Sequence, residues 1–357
     1  MNDERIARLL VHLARGGSPS CVPPPPPDVV WNGNAQRLVD AGFSPAEADQ
    51  LVRVRAVRRD RAELESCAIA GIRIVMPGDD EFPTDLAGHP DRPLALWVRG
   101  ARIPPAPRVG IVGSRDASSA MIAFARRLGR ACARAGLPVV SGLARGIDAS
   151  AHAGALSVRG ACIAVIGCGL DVEYPKATWS LRRDLLRAGT IVTTYPLGTP
   201  PEKFRFPERN RVIAGLSAVV VVVQATETSG ALSTARAALD AGGTVLAVPG
   251  AIDDPLARGS NRLIRDGAGP VLEPRDVIEA VLGVGCVTDD GDEPIVVPVV
   301  APRDQPIVDA IAGGSMSVDA LVEATGIPIA ILTERIVLLE LDGTLVRQPG
   351  ATFRLRK

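Results

Sequence analysis

Aromatic residues are scarce in this chain of 357 residues, because three Trp, two Tyr and six Phe make up only 3% of the sequence. Few side chains are therefore available to stack on bases. The formal net charge is zero, so the whole-chain charge gives no sign of a polyanionic partner. The charge is uneven, however: residues 286–357 carry six basic and eleven acidic residues, and subtraction from 40 and 40 leaves 34 and 29 in residues 1–285. A polyanion should bind the first 285 residues and not the tail.

Groupings that define several other protein classes are also missing. The six cysteines show no C-x-x-C pair and the three histidines are scattered, which argues against a zinc site or a disulfide framework and predicts buried, reduced thiols. The N-terminus is charged and lacks a signal-peptide core. The longest strongly apolar run, Ala218–Val223 with its flanks, is too short to span a bilayer. We therefore expect a cytoplasmic protein that does not bind a membrane.

Catalytic signatures are absent as well. No G-x-x-x-x-G-K-[ST] sequence occurs, which excludes a P-loop ATPase or helicase motor. No H-E-x-x-H occurs, and no acidic cluster resembles a two-metal nuclease. The sequence predicts no catalytic residue, no metal and no cofactor.

Pattern changes along the chain predict four segments. Residues 1–65 form a small helical region, in which the prolines of Pro23–Pro27 predict an extended linker or exposed arm and Ser44-Pro-Ala-Glu47 is typical of a helix start. Residues 66–283 form the core, and residues 284–302 form an Asp- and Pro-rich linker. Residues 303–357 predict a winged helix-turn-helix, with helices over Gln305–Ala312, Val318–Ala324 and Pro328–Leu341 and a hairpin that turns at Pro349-Gly350.

The core alternates short apolar runs with Ala-rich helical stretches. The predicted strands are Val109–Val112, Pro138–Ser141, Ile163–Gly167, Thr190–Thr194, Ala218–Val223 and Thr244–Val248. The predicted helices include Ser119–Ala135, Thr178–Ala188, Gly230–Ala241 and Asn261–Asp266. This alternation predicts an α/β fold with a doubly wound, mostly parallel sheet covered on both faces. In such sheets ligands bind where the strands end, so the residues that follow each strand are the candidates for function.

Glycine-rich turns follow the first two strands of the core. Gly113-Ser-Arg115 and Ser141-Gly-Leu-Ala-Arg-Gly146 offer close backbone approach, unpaired N–H groups at a helix start and a guanidinium, all of which suit phosphate. The pattern is not G-x-G-x-x-G and lacks a ribose-binding acid, which disfavours NAD. Asp148 and His152 stand four residues apart on one predicted helix face, and a structural hydrogen bond between them is favoured over catalysis.

A basic-aromatic stretch, Lys203-Phe-Arg-Phe-Pro-Glu-Arg-Asn-Arg211, is the strongest pointer to a ligand. It interleaves four basic residues with two phenylalanines, and single-stranded nucleic acid binds to charges for its phosphates and aromatic faces for its bases. The competing interpretation is a solvated basic loop with Phe anchors in the core. A further turn, Ser229-Gly230, stands where phosphoribohydrolases of the lysine-decarboxylase-like type carry P-G-G-x-G-T-x-x-E, but Ala237 takes the place of their glutamate.

Six motifs together resemble the DNA-processing protein A family (DprA, also called Smf), in order and spacing over about residues 70–283. They are G-S-R at 113–115, S-G-L-A-R-G-I-D-x-x-A-H at 141–152, G-x-G-L-D-x-x-Y-P at 167–175, F-P-E-R-N-R at 206–211, S-G-x-L-x-T-A at 229–235 and A-V-P-G at 247–250. The resemblance implies an extended Rossmann domain that binds single-stranded DNA, homodimerisation, and loading of the RecA recombinase during uptake of transforming DNA.

The resemblance also implies the site residues. These are Gly113, Ser114, Arg115, Gly142, Arg145, Gly146, Lys203, Phe206, Arg209, Asn210, Arg211, Ser229 and Gly230. Arg115, Lys203, Arg209 and Arg211 are expected to neutralise phosphates, and Phe206 to stack on a base. The chain departs from the family at Thr193-Thr194, where Ser-Glu is common, and at Gln224, where an acid is common.

Two alternatives to a DNA-binding mediator stay open at this point. One is an enzyme that acts on a nucleotide in the same pocket, as the phosphoribohydrolases do. The other is a transcription factor that uses the winged helix, although the acidic tail speaks against it. The predicted recognition helix is mostly apolar with Arg335 as its one basic residue, which favours a partner-docking or packing module.

Overall fold

The computed structural model describes residues 3–17, 24–87, 89, 92–284, 304–311, 316–341, 345–348 and 352–355. The chain divides into two compact units, Met1–Val287 and Thr288–Lys357. Nearly all of the predicted linker at 284–302 lies outside the described residues, as do Pro23 and the predicted turn at Pro349-Gly350.

The first unit begins with five helices. They are α1 (Asp3–Ala14), α2 (Pro27–Asn32), α3 (Ala35–Asp40), α4 (Pro45–Ala56) and α5 (Arg59–Ile69). The predicted start of α4 is confirmed, because Ser44 and Glu47 cap each other's backbone N–H groups. The proline run is not wholly an exposed arm: Pro27 opens α2, where its fixed φ and missing N–H suit a first helical turn.

A nine-stranded sheet follows these helices. Its strands are β1 (Arg73–Val75), β2 (Leu96–Gly100), β3 (Val109–Val112), β4 (Val139–Ser141), β5 (Cys162–Val165), β6 (Thr190–Thr193), β7 (Val219–Val222), β8 (Thr244–Ala247) and β9 (Gly269–Pro270). The order is β1-β2-β6-β5-β4-β3-β7-β8-β9. The pairs β1–β2 and β2–β6 at one edge are antiparallel, and all other pairs are parallel. The predicted doubly wound sheet is confirmed, and β1, β2 and β9 extend it at the edges.

Helices cover both faces of the sheet. They are α6 (Thr84–Ala87), α7 (Ser119–Arg134), α8 (Ile147–Leu156), α9 (Trp179–Ala188), α10 (Arg205–Gly215), α11 (Ala231–Asp240), α12 (Arg258–Arg265) and α13 (Pro274–Leu282). One core layer packs α7, α8, α9 and α13 on the sheet and takes in Leu9 and Leu13 of α1. The other core layer includes Ile213 of α10 and Ala235 of α11. Helix α1 therefore shares a core with the sheet, while α2, α3 and α4 pack in a hydrophobic cluster of their own with the other face of α1.

The direction of winding reverses at β3. This strand lies between β4 and β7, so the chain proceeds to one side from β3 to β6 and to the other side from β7 to β9. Such a reversal opens a crevice at the carboxyl ends of the strands. Gln224 crosses it after β7: its backbone carbonyl accepts from the Ser114 N–H at 2.7 Å, and its side-chain oxygen accepts from the Ser118 N–H at 2.8 Å.

The second unit is a winged helix. Its elements are α14 (Gln305–Ile311), β10 (Met316–Ser317), α15 (Val318–Thr325), α16 (Ile329–Leu341), β11 (Leu345–Gln348) and β12 (Thr352–Leu355). The three helices and the hairpin are confirmed, and β10 adds a third strand beside β12. Arg335 on α16 lies 3.6 Å from an oxygen of Asp304 and is only a quarter exposed, so the one basic side chain of the predicted recognition helix is largely withdrawn from solvent.

The cysteines that the structure describes are Cys67, Cys132, Cys162 and Cys168, all of them buried free thiols. Burial raises the pKa of the Cys132 thiol to about 12, so it stays protonated. Across the described ranges, no helix is both long and apolar enough to cross a bilayer.

Candidate nucleic-acid interface

A cleft of about 240 Å³ opens at the carboxyl ends of β3, β4 and β5. Its lining comes from the loops after these strands and from the first turns of α10. The lining residues are Arg115, Gly142, Ala144, Arg145, Ile166, Gly167, Tyr174, Pro175, Ala177, Phe206 and Arg209. Five of the residues predicted for the site thus line one cleft, although they come from three separate stretches of sequence.

Two glycines of the loop after β4 stand where a side chain would collide with a neighbour, the loop after β3 in one case and Arg209 of α10 in the other. Gly146 has φ +87°, and a Cβ there would lie 2.4 Å from the Ser114 carbonyl oxygen, so any side chain would push the two loops apart. A Cβ on Gly142 would lie 2.4 Å from Nη1 of Arg209. Gly146 therefore allows the loops that carry Arg115 and Arg145 to pack against each other beside the cleft.

Arg209 lies beneath the cleft and is only 6% exposed. Its Nη1 donates to the carbonyl oxygens of Gly142 at 2.7 Å and Val165 at 2.6 Å, and its Nε donates to Oδ1 of Asn210 at 3.1 Å. This guanidinium joins α10 to the ends of β4 and β5. Burial lowers its pKa, and the nearby Asp148 carboxylate partly offsets that effect.

Asp148 does not bind His152 as the sequence suggested. Its Oδ2 accepts from the Gly142 N–H at 3.1 Å, which fixes the turn after β4. Burial raises the pKa of Asp148, and the positive charge of Arg209 opposes the rise. His152 is wholly buried, and desolvation lowers its pKa to about 4, with a partial offset from the Ser141 backbone. The imidazole is therefore neutral near pH 7, and neither group is arranged for proton transfer with the other.

An aromatic pair forms one wall of the cleft. The rings of Phe206 and Tyr174 have centroids 5.9 Å apart at an angle of 43°, and the Arg115 guanidinium lies 5.4 Å from the Phe206 centroid. Phe206 is half-buried and Arg115 is exposed. A nucleotide that entered here would meet an aromatic face and an exposed cation together.

Arg145 is the other exposed cation of the cleft, with 62% of its side chain accessible. It forms an ion pair with Asp116, which is 76% accessible. An exposed pair of this kind contributes little to stability, and a phosphate can therefore displace the carboxylate at small cost.

The remaining predicted residues lie outside the cleft lining. Lys203 is exposed on the loop before α10, and Arg211 is exposed on α10. The Asn210 amide donates to the Gly230 carbonyl oxygen at 3.1 Å and to Oγ of Ser233 at 2.8 Å, so it ties α10 to the start of α11. Ser229 and Gly230 lie in the turn that opens α11, where the Ser229 hydroxyl accepts from the Ala231 N–H at 3.3 Å.

Tyr174, Pro175 and Ala177 line the cleft but are not among the residues predicted for the site. A signal for them is present in the sequence, because they end and follow the motif at 167–175 that contributes to the family resemblance. The Arg182 guanidinium holds this segment by donating to the carbonyls of Leu170, Val172 and Tyr174 at 2.6, 2.7 and 3.0 Å. These three hydrogen bonds hold the segment in place at the rim of the cleft.

Comparison with protein families identifies two matching models. Residues 73–282 match the model described as DNA recombination-mediator protein A, and residues 297–351 match the model described as DprA winged helix domain. The first match spans the sheet and its covering helices, and the second spans most of the winged helix.

Comparisons with individual proteins point to the same family. Protein Smf from Escherichia coli is 37% identical over 290 residues, which is 79% of this chain and 78% of Smf. The crystal structure of DNA processing protein A from Streptococcus pneumoniae aligns with a TM-score of 0.61 and 34% identity, over 69% of this chain and 86% of that one. DNA processing protein A from Helicobacter pylori, whose structure concerns a unique single-stranded DNA binding mode, aligns with a TM-score of 0.53 and 27% identity, over 58% of this chain and 94% of that one.

Proposed function

The chain belongs to the DNA recombination-mediator protein A family (DprA/Smf), and on this premise we propose that it binds single-stranded DNA in the cleft at the ends of β3, β4 and β5, without chemical change to the DNA. The observation that carries the proposal is the half-buried Phe206 ring beside the exposed Arg115 in a cleft that ends three parallel strands. Base stacking and phosphate neutralisation, the two sources of affinity for single strands, are adjacent there.

The proposed site divides into contacts and supports. Arg115 and Arg145 are suited to phosphates because both are exposed at the cleft, and Phe206 is suited to a base. Arg209 is suited to a supporting role, since its donors already serve the Gly142 and Val165 carbonyls. Lys203 and Arg211 would extend the positive surface along the outside of α10.

We extend the proposal to partners that the family resemblance implies. The protein would act as a homodimer and deliver single-stranded DNA to the RecA recombinase in DNA uptake and recombination. The winged helix would dock a partner or pack within the assembly and would not read DNA, because Arg335 is held against Asp304. We also propose that the chain consists of a helical region at residues 1–65, a core at 66–283, a linker at 284–302 and a winged helix at 303–357.

Nucleotide hydrolysis in the same cleft has less support. The turn before α11 carries Ala237 where the phosphoribohydrolase pattern has its glutamate. Asp148, beneath the cleft, is buried and its carboxylate accepts from the Gly142 N–H, so it is not poised as a general acid or base on a bound nucleotide.

Gel-shift competition tests the proposal on the full chain. A labelled single strand should be displaced by unlabelled single strand, poorly by duplex of the same sequence, and not by a mononucleotide. Residues 1–287 should retain the binding, since they form a compact unit. Preferred binding of mononucleotide, or duplex binding by residues 288–357 alone, would contradict it. Magnesium-dependent cleavage that a point mutation in this chain abolishes would refute the absence of chemistry.

A further inference from the structure

Trp179 is an exposed aromatic residue that the cleft does not include. It opens α9 and is 37% exposed, whereas Trp97 is wholly buried in the sheet core. The Arg182 guanidinium lies 5.4 Å from the centroid of the Trp179 ring. Since Arg182 is fixed by three backbone carbonyls, the indole rests on an immobile cation, and the exposed part of the ring needs no reordering to receive a ligand.

Trp179 is also tied to the cleft through the chain. Ala177 lines the cleft and precedes Trp179 by two residues, so their Cα atoms are at most about 7.6 Å apart. The Thr178 hydroxyl between them donates to the Leu143 carbonyl oxygen at 2.9 Å, which fixes this segment on the loop after β4. The indole is thus held at a constant distance from the cleft.

Charged residues stand on both sides of Trp179 in the sequence. Lys176 and Arg183 are both exposed, and Arg183 follows the indole by one helical turn. On the acidic side, the Asp171 carboxylate accepts from the Gly198 N–H at 2.9 Å, and Glu173 is exposed. An exposed aromatic ring with exposed cations three residues before it and four residues after it in sequence combines the two features by which proteins bind single strands without sequence preference.

We propose that Trp179 is a second stacking platform, which receives a base of the single strand just outside the cleft. This inference rests on the proposed function and adds to it a residue and a minimum length of DNA. A strand that only fills the cleft would not reach Trp179, and a longer strand would stack on both Phe206 and Trp179.

Intrinsic fluorescence of the full chain tests the inference. Oligothymidylates of about 4 to 16 nucleotides, the range of site sizes for single-strand-binding modules, would be titrated into the protein and its variants. Binding of the longer strands should quench the indole emission of the natural chain. Trp179→Phe should abolish the quenching and keep the affinity within about threefold, since a phenyl ring also stacks. Trp31→Phe, in α2, is the matched control and should keep the quenching.

Trp179→Ala should weaken binding of the longer strands by about 5- to 150-fold, leave the shortest strands unaffected, and leave the salt dependence unchanged. Quenching that persists in Trp179→Phe, or unchanged affinity of Trp179→Ala at every length, would overturn the inference while single-strand binding itself stands. Emission that changes with protein concentration and not with DNA would also overturn it and indicate a protein contact. Failure of the natural chain to bind any oligothymidylate would refute the proposed function, and this inference with it.

Discussion

Arg209 and Arg211 are two arginines on one helix for which the structure predicts opposite behaviour. Arg209 is buried and donates to the carbonyls of Gly142 and Val165, whereas Arg211 is exposed. Replacing each by alanine removes the same side chain from α10. We expect Arg209→Ala to destabilise the fold and Arg211→Ala to weaken DNA binding with the fold intact.

The size of the first effect follows from the contacts. Arg209→Ala leaves two buried carbonyl oxygens without this donor, at about 1–3 kcal/mol each, which gives a loss of about 2–6 kcal/mol. With an unfolding entropy of about 2.1 cal/mol/K per residue, about 1 kcal/mol shifts the Tm of the unit Met1–Val287 by roughly 1.7 °C, so Tm should fall by about 3–10 °C. Arg211→Ala should change the free energy of unfolding by no more than about 0.5 kcal/mol, as for other surface substitutions.

Scanning calorimetry and fluorescence anisotropy of a labelled oligothymidylate at several salt concentrations measure both effects. If Arg211 neutralises one phosphate, its loss should make the slope of log affinity against log salt shallower by about 0.7. The reasoning would be refuted if Arg209→Ala kept its Tm and shifted the slope by that amount. Arg209 would then contact phosphate directly, as the sequence alone suggested.

Three further predictions concern the cleft and its supports. Phe206→Ala should weaken single-strand binding by about 5- to 150-fold with little change in salt slope, and a slope change equal to that of Arg115→Ala would contradict stacking. Gly146→Ala should lower Tm and DNA affinity together, because its Cβ meets the loop after β3. Gly230→Ala has open space at its Cβ and should change Tm little, so an equal fall of Tm in the two variants would contradict this prediction. Because burial lowers the folded-state pKa of His152 to about 4, its contribution to stability is present above pH 6.5 and is lost as pH falls to about 4. His152→Gln should therefore flatten the fall of Tm over that interval, and an unchanged profile would show that other groups cause the fall.

Much of the fold could be predicted from the sequence because its strands are continuous apolar runs. All six predicted core strands occur, within one or two residues of the expected ends. The three remaining strands of the large sheet, β1, β2 and β9, lie at or near its edges, and two of them have three residues or fewer. Runs this short carry no periodicity, so pairing with a neighbour that is distant in sequence defines them.

The helix α10 shows how local signals can mislead. Pro207 and the surrounding charges are typical of a solvated loop, which was the competing interpretation of Lys203–Arg211. Pro207 nevertheless lies in the first turn of a helix, where proline is tolerated. The helical spacing was present: Phe206, Arg209 and Asn210 follow an i, i+3, i+4 pattern that turns all three inward. Polar residues on the buried face concealed the pattern, since arginine is seldom fully buried.

Glycine turns and a basic-aromatic stretch that follow parallel strands can be predicted from the sequence, because turn geometry and strand composition are local properties of the chain. Which cations face the cleft depends on tertiary packing. Arg115 and Arg145 are exposed on loops that Gly146 allows to pack together, whereas Arg209 lies within reach of two strand-end carbonyls and donates to them. Whether a guanidinium meets solvent or a carbonyl depends on neighbours that are far away in sequence, and only the folded sheet brings those neighbours together.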